Sequence, residues 1–223
     1  MLDDIEPVQA RTLPVILLVD TSGSMRQDDK IDVLNDSVAE MIKELASVDA
    51  GHGFITLTLI AFGGESAEII QRNVPVADVA FTPLAARGKT PMGHAFELAR
   101  ELIEDRDEIS SKAYRPTIAL ISDGLPVPAL SGQLEALVDS ERGSKSSRFA
   151  LAIGADADRD LLARFASGGD VREASEAAEI RNFLQWVTNT VAQVTLSIMS
   201  DEGVQSLVAT DESIAQLRQD DAF

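Results

Sequence analysis

Leu13-Pro14-Val15-Ile16-Leu17-Leu18-Val19-Asp20-Thr21-Ser22-Gly23-Ser24 passes from an almost unbroken apolar run directly into an acid and three hydroxyls. A strand buried on both faces reads this way, because neither face leaves room for alternating polar side chains. Thr117–Ser122 is a second such run and also stops abruptly, in Ser122-Asp123-Gly124. Phe54–Phe62 and Phe149–Ile153 are further β-rich runs at wide spacing.

Helical periodicity fills the intervals. Ile31, Leu34, Val38, Met41, Ile42 and Leu45 recur at i, i+3 and i+4 and predict a helix over about residues 30–47. Met92, Phe96, Leu98, Ala99, Leu102 and Ile103 predict a second, with Pro91 in a favoured first-turn position. Leu130, Leu134, Leu137 and Val138 make a third, and Leu161, Leu162 and Phe165 a short fourth. The last is expected from about Ser175 to Ser197, burying Ile180, Phe183, Leu184, Val187, Val191 and Val194, with Trp186 packed in the core.

Strands separated by helices make βαβ units, so the expected class is α/β: a doubly wound, mostly parallel, Rossmann-like sheet with helices on both faces. Glu68–Val76 follows Phe54–Phe62 across Gly63-Gly64, a link that suits a hairpin, and is expected as one antiparallel edge strand. The domain covers about residues 12–197. Residues 1–11 are expected to be an N-terminal tail, and residues 198–223 an acidic C-terminal tail, either disordered or docked on a partner. From Ser200 onward that tail holds six acids against Arg218 alone.

Lys and Arg number 19 against 37 Asp and Glu, a formal net charge of −18. Phosphate backbones and anionic membranes are repelled by such a surface, which argues against nucleic acid and membrane as partners. The absence of cysteine excludes disulfides, thiolate metal sites and a Cys nucleophile, and two histidines cannot build a His-rich centre. The longest apolar run, Val15–Val19, is far short of the ~20 residues a membrane helix needs. Met1–Arg11 carries Asp3, Asp4 and Glu6 and lacks a basic-then-apolar leader pattern, so a cytoplasmic location is expected.

Ligands of an open parallel sheet bind beyond the carboxyl ends of its strands, near the point where strand order reverses. The polar residues of this sequence fall there. The first buried strand ends in Asp20-Thr21-Ser22-Gly23-Ser24, the third in Ser122-Asp123-Gly124, and the loop Gly88-Lys89-Thr90-Pro91-Met92-Gly93 enters a helix between them. Two carboxylates and three hydroxyls, without nitrogen or sulfur, suit Mg²⁺, Mn²⁺ or Ca²⁺. Serines two apart can aim both hydroxyls at one ion, with Gly23 expected to permit the turn between them. Two carboxylates leave part of the ion's shell to water or to an acidic group of another protein.

Asp20-x-Ser22-x-Ser24, with Thr90 and Asp123, resembles the metal-ion-dependent adhesion site of von Willebrand factor A domains, and the resemblance covers about residues 12–197. It implies that Ser22, Ser24 and Thr90 ligate the metal, directly or through water, with Asp20 and Asp123 binding it directly or through water. It further implies a non-enzymatic module that binds a partner's Asp or Glu through the metal. Within that family, Leu13–Met25, Ile121-Ser122-Asp123-Gly124-x-Pro126 and Gly88-x-Thr90-x-x-Gly93 look like the bacterial TerY-type group of tellurite-resistance and stress operons. That likeness implies a metal-dependent protein phosphatase and a protein kinase as partners. The cysteine-rich tail of some relatives is expected to be absent, because this sequence holds no cysteine.

Competing readings are weaker. Gly88-Lys89-Thr90 imitates the end of a phosphate-binding loop, but the first glycine should stand at 83, where the chain has Pro83. A haloacid-dehalogenase-type phosphatase wants a second Asp at 22, which is Ser22, and no GxSxG elbow occurs for a serine hydrolase. A Mg²⁺-dependent phosphoryl-transfer enzyme built on the same carboxylates, and a metal-independent scaffold acting through the last helix or the acidic tail, are the two alternatives. Asp28, Asp29 and Lys30 are expected to be solvated and helix-capping, with shaping of the site's rim as the alternative, His94 to be a partly exposed structural histidine near the rim, and His52 to lie in a loop.

Overall fold

A computed structural model describes the backbone of residues 11–220 and side chains as far as residue 200. Apart from Arg11, the expected N-terminal tail lies outside the described residues. Among the described residues, six strands form one sheet: β1 (Leu13–Asp20), β2 (Ile55–Gly63), β3 (Ser66–Pro75), β4 (Thr117–Ser122), β5 (Ser147–Ile153) and β6 (Val171–Ala174). Five α-helices among the same residues accompany them: α1 (Lys30–Asp49), α2 (Met92–Glu104), α3 (Gln133–Val138), α4 (Arg159–Phe165) and α5 (Ala178–Asp220).

Strand order is β3-β2-β1-β4-β5-β6. All neighbours run parallel except β2 and β3, which pair antiparallel as the short Gly63-Gly64 link requires. The fold is thus α/β, with one antiparallel pair at the edge of a doubly wound sheet. Each face of β1 feeds a separate core. Leu13, Val15, Leu17 and Val19 pack with α1 and α5, whereas Ile16 and Leu18 pack with α2, α3 and α4. All eight residues of β1 are buried. This two-sided burial is what the unbroken apolar run records.

Several expectations differ in detail. β6 was not predicted, since four residues reading Val171-Arg172-Glu173-Ala174 carry too little pattern. Pro91 stands just before α2 rather than in its first turn. Helix α5 does not stop near Ser197 but runs to Asp220, through a stretch with no proline and only Gly203 to weaken it. Val194, expected in the core, is 43% exposed. Trp186 is half-buried, edge-on to Phe149 with ring centroids 4.8 Å apart and covered by the Arg172 guanidinium. Among the described residues no helix is long and apolar enough to cross a membrane.

Candidate functional site

β1 and β4 are adjacent in the sheet although α1, β2, β3 and α2 separate them in sequence. The chain winds one way from β1 to β2 and the other way from β4 to β5, so strand order reverses between them. Their carboxyl ends carry Asp20 and Ser122-Asp123. This is the crevice where ligands of such sheets bind.

Asp20 is fully buried at the end of β1. Its Oδ1 accepts the backbone N–H of Ser22 at 2.8 Å, and its Oδ2 accepts the Ser122 hydroxyl at 2.6 Å. Burial nevertheless dominates its acidity and lifts the carboxyl from 3.8 to about 6. The bonds from Ser122 and Ser22 pull the other way, and the nearby Asp123 charge adds to the rise.

Ser22 and Ser24 hydroxyls lie 3.0 Å apart, and Ser24 Oγ donates to Asp123 Oδ1 at 2.7 Å across 99 residues of sequence. The second oxygen of Asp123 accepts from Lys30 Nζ at 2.9 Å. Thr90 is buried at the approach to α2, and its Oγ1 comes within 3.5 Å of where a Cβ on Gly124 would sit. Asp20, Ser22, Ser24, Thr90 and Asp123 therefore meet at one edge of the sheet, contributed by three separate loops.

Backbone contacts lock those loops together. Gly23 N–H donates to Gly88 O at 2.9 Å, Arg87 N–H to Thr21 O at 2.7 Å, and Gly64 and Lys89 exchange bonds of 3.1 and 3.2 Å. Such proximity excludes side chains. A Cβ on Gly63 would lie 2.2 Å from Thr21 O, and one on Gly88 would lie 2.4 Å from Gly64 Cα. Gly88 also has φ +64°, which favours glycine. Gly23, expected to enable the turn between the serines, needs no left-handed conformation; its role is close approach, since a Cβ there would lie 3.3 Å from Gly88 O.

Two residues contribute to the site through contacts that local sequence does not signal. Ser122 reads as the end of a strand, and its bond to Asp20 depends on a strand pairing that no local signal reveals. Lys30, expected to be solvated and capping or to shape the rim, has a side chain only 14% exposed that pairs with fully buried Asp123. Asp29, expected to cap α1, occupies the N-cap position but makes no side-chain cap bond. Asp28 and Asp29 instead adopt φ +52° and +56°, a double left-handed kink that delivers Lys30 to the site. His94 is exposed, and His52 sits in the loop after α1.

Among the described residues no group of three or more His, Cys, Asp or Glu side chains could hold a metal ion. The donor set is therefore two carboxylates supplemented by hydroxyls, all hard oxygens, which fits a divalent cation that retains part of its own shell.

The family model of the von Willebrand factor type A domain matches residues 15–125, a segment that contains all five of these residues. The chain carries a von Willebrand factor type A domain. Solved structures share its fold at low identity. Proximal thread matrix protein 1 from the mussel byssus, in a structure with a zinc-occupied MIDAS motif, is 16% identical with TM-score 0.63, over 82% of this chain and 48% of that one. The pilus adhesin SpaC from Lactobacillus rhamnosus GG, in its open conformation, is 14% identical with TM-score 0.69, over 83% of this chain and 30% of the adhesin. A von Willebrand factor type A protein from Catenulispora acidiphila is 15% identical with TM-score 0.57, over 80% and 42%. The chain thus spans less than half the length of each of these three relatives. No curated protein has a significant sequence match to it. Domains of this type are usually non-catalytic modules that bind protein ligands, and their adhesion-site motifs bind divalent metals.

Proposed function

We propose that this chain is a divalent-metal-dependent protein-interaction module. Asp20, Ser22, Ser24, Thr90 and Asp123 would hold one Mg²⁺, or Mn²⁺ or Ca²⁺, and a partner's Asp or Glu would complete the ion's shell. The metal supplies one strong, charge-assisted contact; the residues around it supply position and exclude water. The observation that carries the reading is the bond from Ser24 Oγ to Asp123 Oδ1, which joins the ends of β1 and β4 in one cluster of oxygen donors. The two neighbouring apolar residues Leu125 and Val127, 59% and 44% exposed, offer the rest of a contact surface beside the metal.

The finer reading is a role in a bacterial stress-response or tellurite-resistance phosphorylation assembly, in the cytoplasm, beside a metal-dependent protein phosphatase and a protein kinase. The motif likeness to the TerY-type group supports it. No catalytic residue belongs to this reading.

Calorimetric titration of Mg²⁺ and Mn²⁺ into wild type and the Ser22→Ala/Ser24→Ala double variant tests the proposal. Binding by wild type that the double variant loses, with an unchanged circular-dichroism spectrum, is the expected result. Equal binding by both would remove the site from these residues. ATP or phosphoester hydrolysis that falls in Asp20→Asn would favour the enzymatic alternative instead.

A further inference from the structure

Lys30 and Asp123 form the only ion pair among the described residues with both partners largely buried, at 14% and 0% side-chain exposure. Every other ion pair among those residues leaves both side chains at least 32% exposed. Surface pairs contribute little, whereas a buried ammonium beside a ligand-bearing carboxylate is a strong local charge. The backbone is also built for it. Two consecutive aspartates in the left-handed region, Asp28 and Asp29, precede the first residue of α1, and that residue is Lys30. Non-glycine residues hold such conformations where the surroundings over-determine them, as at functional sites.

A charge count gives the consequence. Asp20 and Asp123 bring two negative charges to the cluster, and Lys30 returns one positive charge, leaving the site at −1. A divalent ion takes it to +1, whereas without Lys30 the filled site would be neutral. We infer that Lys30 is the built-in counter-charge of the metal site: it weakens the hold on the cation and keeps the loaded site electropositive, so that an anionic partner group is required. Lys30 positions Asp123 and sets the charge; it has no lone pair to offer the metal while protonated and is not a ligand. The inference rests on the metal-site reading and adds to it the residue that sets the charge of the loaded site.

The test compares wild type with Lys30→Met, Lys30→Gln and Lys30→Arg. Gln keeps an N–H donor without the charge, and Arg keeps the charge. Mn²⁺ affinity is measured by calorimetry, and acetate binding to the Mn²⁺-loaded protein by water-proton relaxation. Coulombic relief of this size is expected to tighten Mn²⁺ by at least about tenfold in Lys30→Met and Lys30→Gln, with Lys30→Arg staying near wild type. Acetate should displace metal-bound water at lower concentration in wild type than in the two neutral variants. Unchanged or weaker Mn²⁺ binding in both neutral variants, against a wild type that binds, would overturn the role given to Lys30. No Mn²⁺ binding by wild type would instead overturn the metal-site reading and this inference with it.

Discussion

Asp20 sits where water does not reach, with both oxygens already taken by Ser22 N–H and Ser122 Oγ. Its carboxyl titrates at about 6 because burial disfavours the anion more than those two donors favour it. The unfolded chain releases the same proton near 3.8. Between those values the folded protein binds more protons than the unfolded one, so this group's stabilising contribution is present below about 4 and lost as pH rises through about 6. At ~1.4 kcal/mol per pKa unit the loss is roughly 3 kcal/mol. In chelator-treated protein, wild type should gain stability relative to Asp20→Asn as pH falls from 7.5 to 5, read by urea denaturation at each pH. A pH-independent difference between the two would contradict the burial argument. Asp20 thus carries a stability cost of the kind found where a site keeps a charge for use, and a bound cation would offset it.

The elements that carry these residues are tied together by glycine backbones rather than by side chains. Gly88 has φ +64° and lies so near Gly64 that a methyl group would fall 2.4 Å from the Gly64 Cα. Gly88→Ala therefore combines backbone strain with a steric clash, and about 2–4 kcal/mol of destabilisation is expected by urea denaturation. Because this loop leads to Thr90, Mg²⁺ affinity should fall with it. A Gly88→Ala variant as stable as wild type would show that the loops need not touch. The strands were legible because β1 and β4 are buried on both faces and so are written as apolar runs, and the β2–β3 hairpin because its link is short. β6 was not, since four residues, of which only Ala174 is buried, leave no period to read. The kink at Asp28-Asp29 was equally hidden, because Asp at those positions reads as an ordinary cap until φ is known.

Across the whole molecule, a chain with net charge −18 gathers two buried carboxylates and a largely buried lysine at the place where its sheet changes winding direction. Asp20, Ser22, Ser24, Thr90 and Asp123 could be singled out from sequence since each stands at the end of a strand or the start of a helix. Lys30 and Ser122 could not, since their partners are separated from them by 93 and 102 residues and only the strand order brings them near. Two cores, one on each face of the sheet, hold that order in place. The most direct test of the central claim is an anomalous-difference map from crystals grown with Mn²⁺. The expected result is a single strong peak at the carboxyl ends of β1 and β4, with Ser22 and Ser24 hydroxyls in its coordination shell. A peak elsewhere on the surface, or none at saturating Mn²⁺, would contradict it.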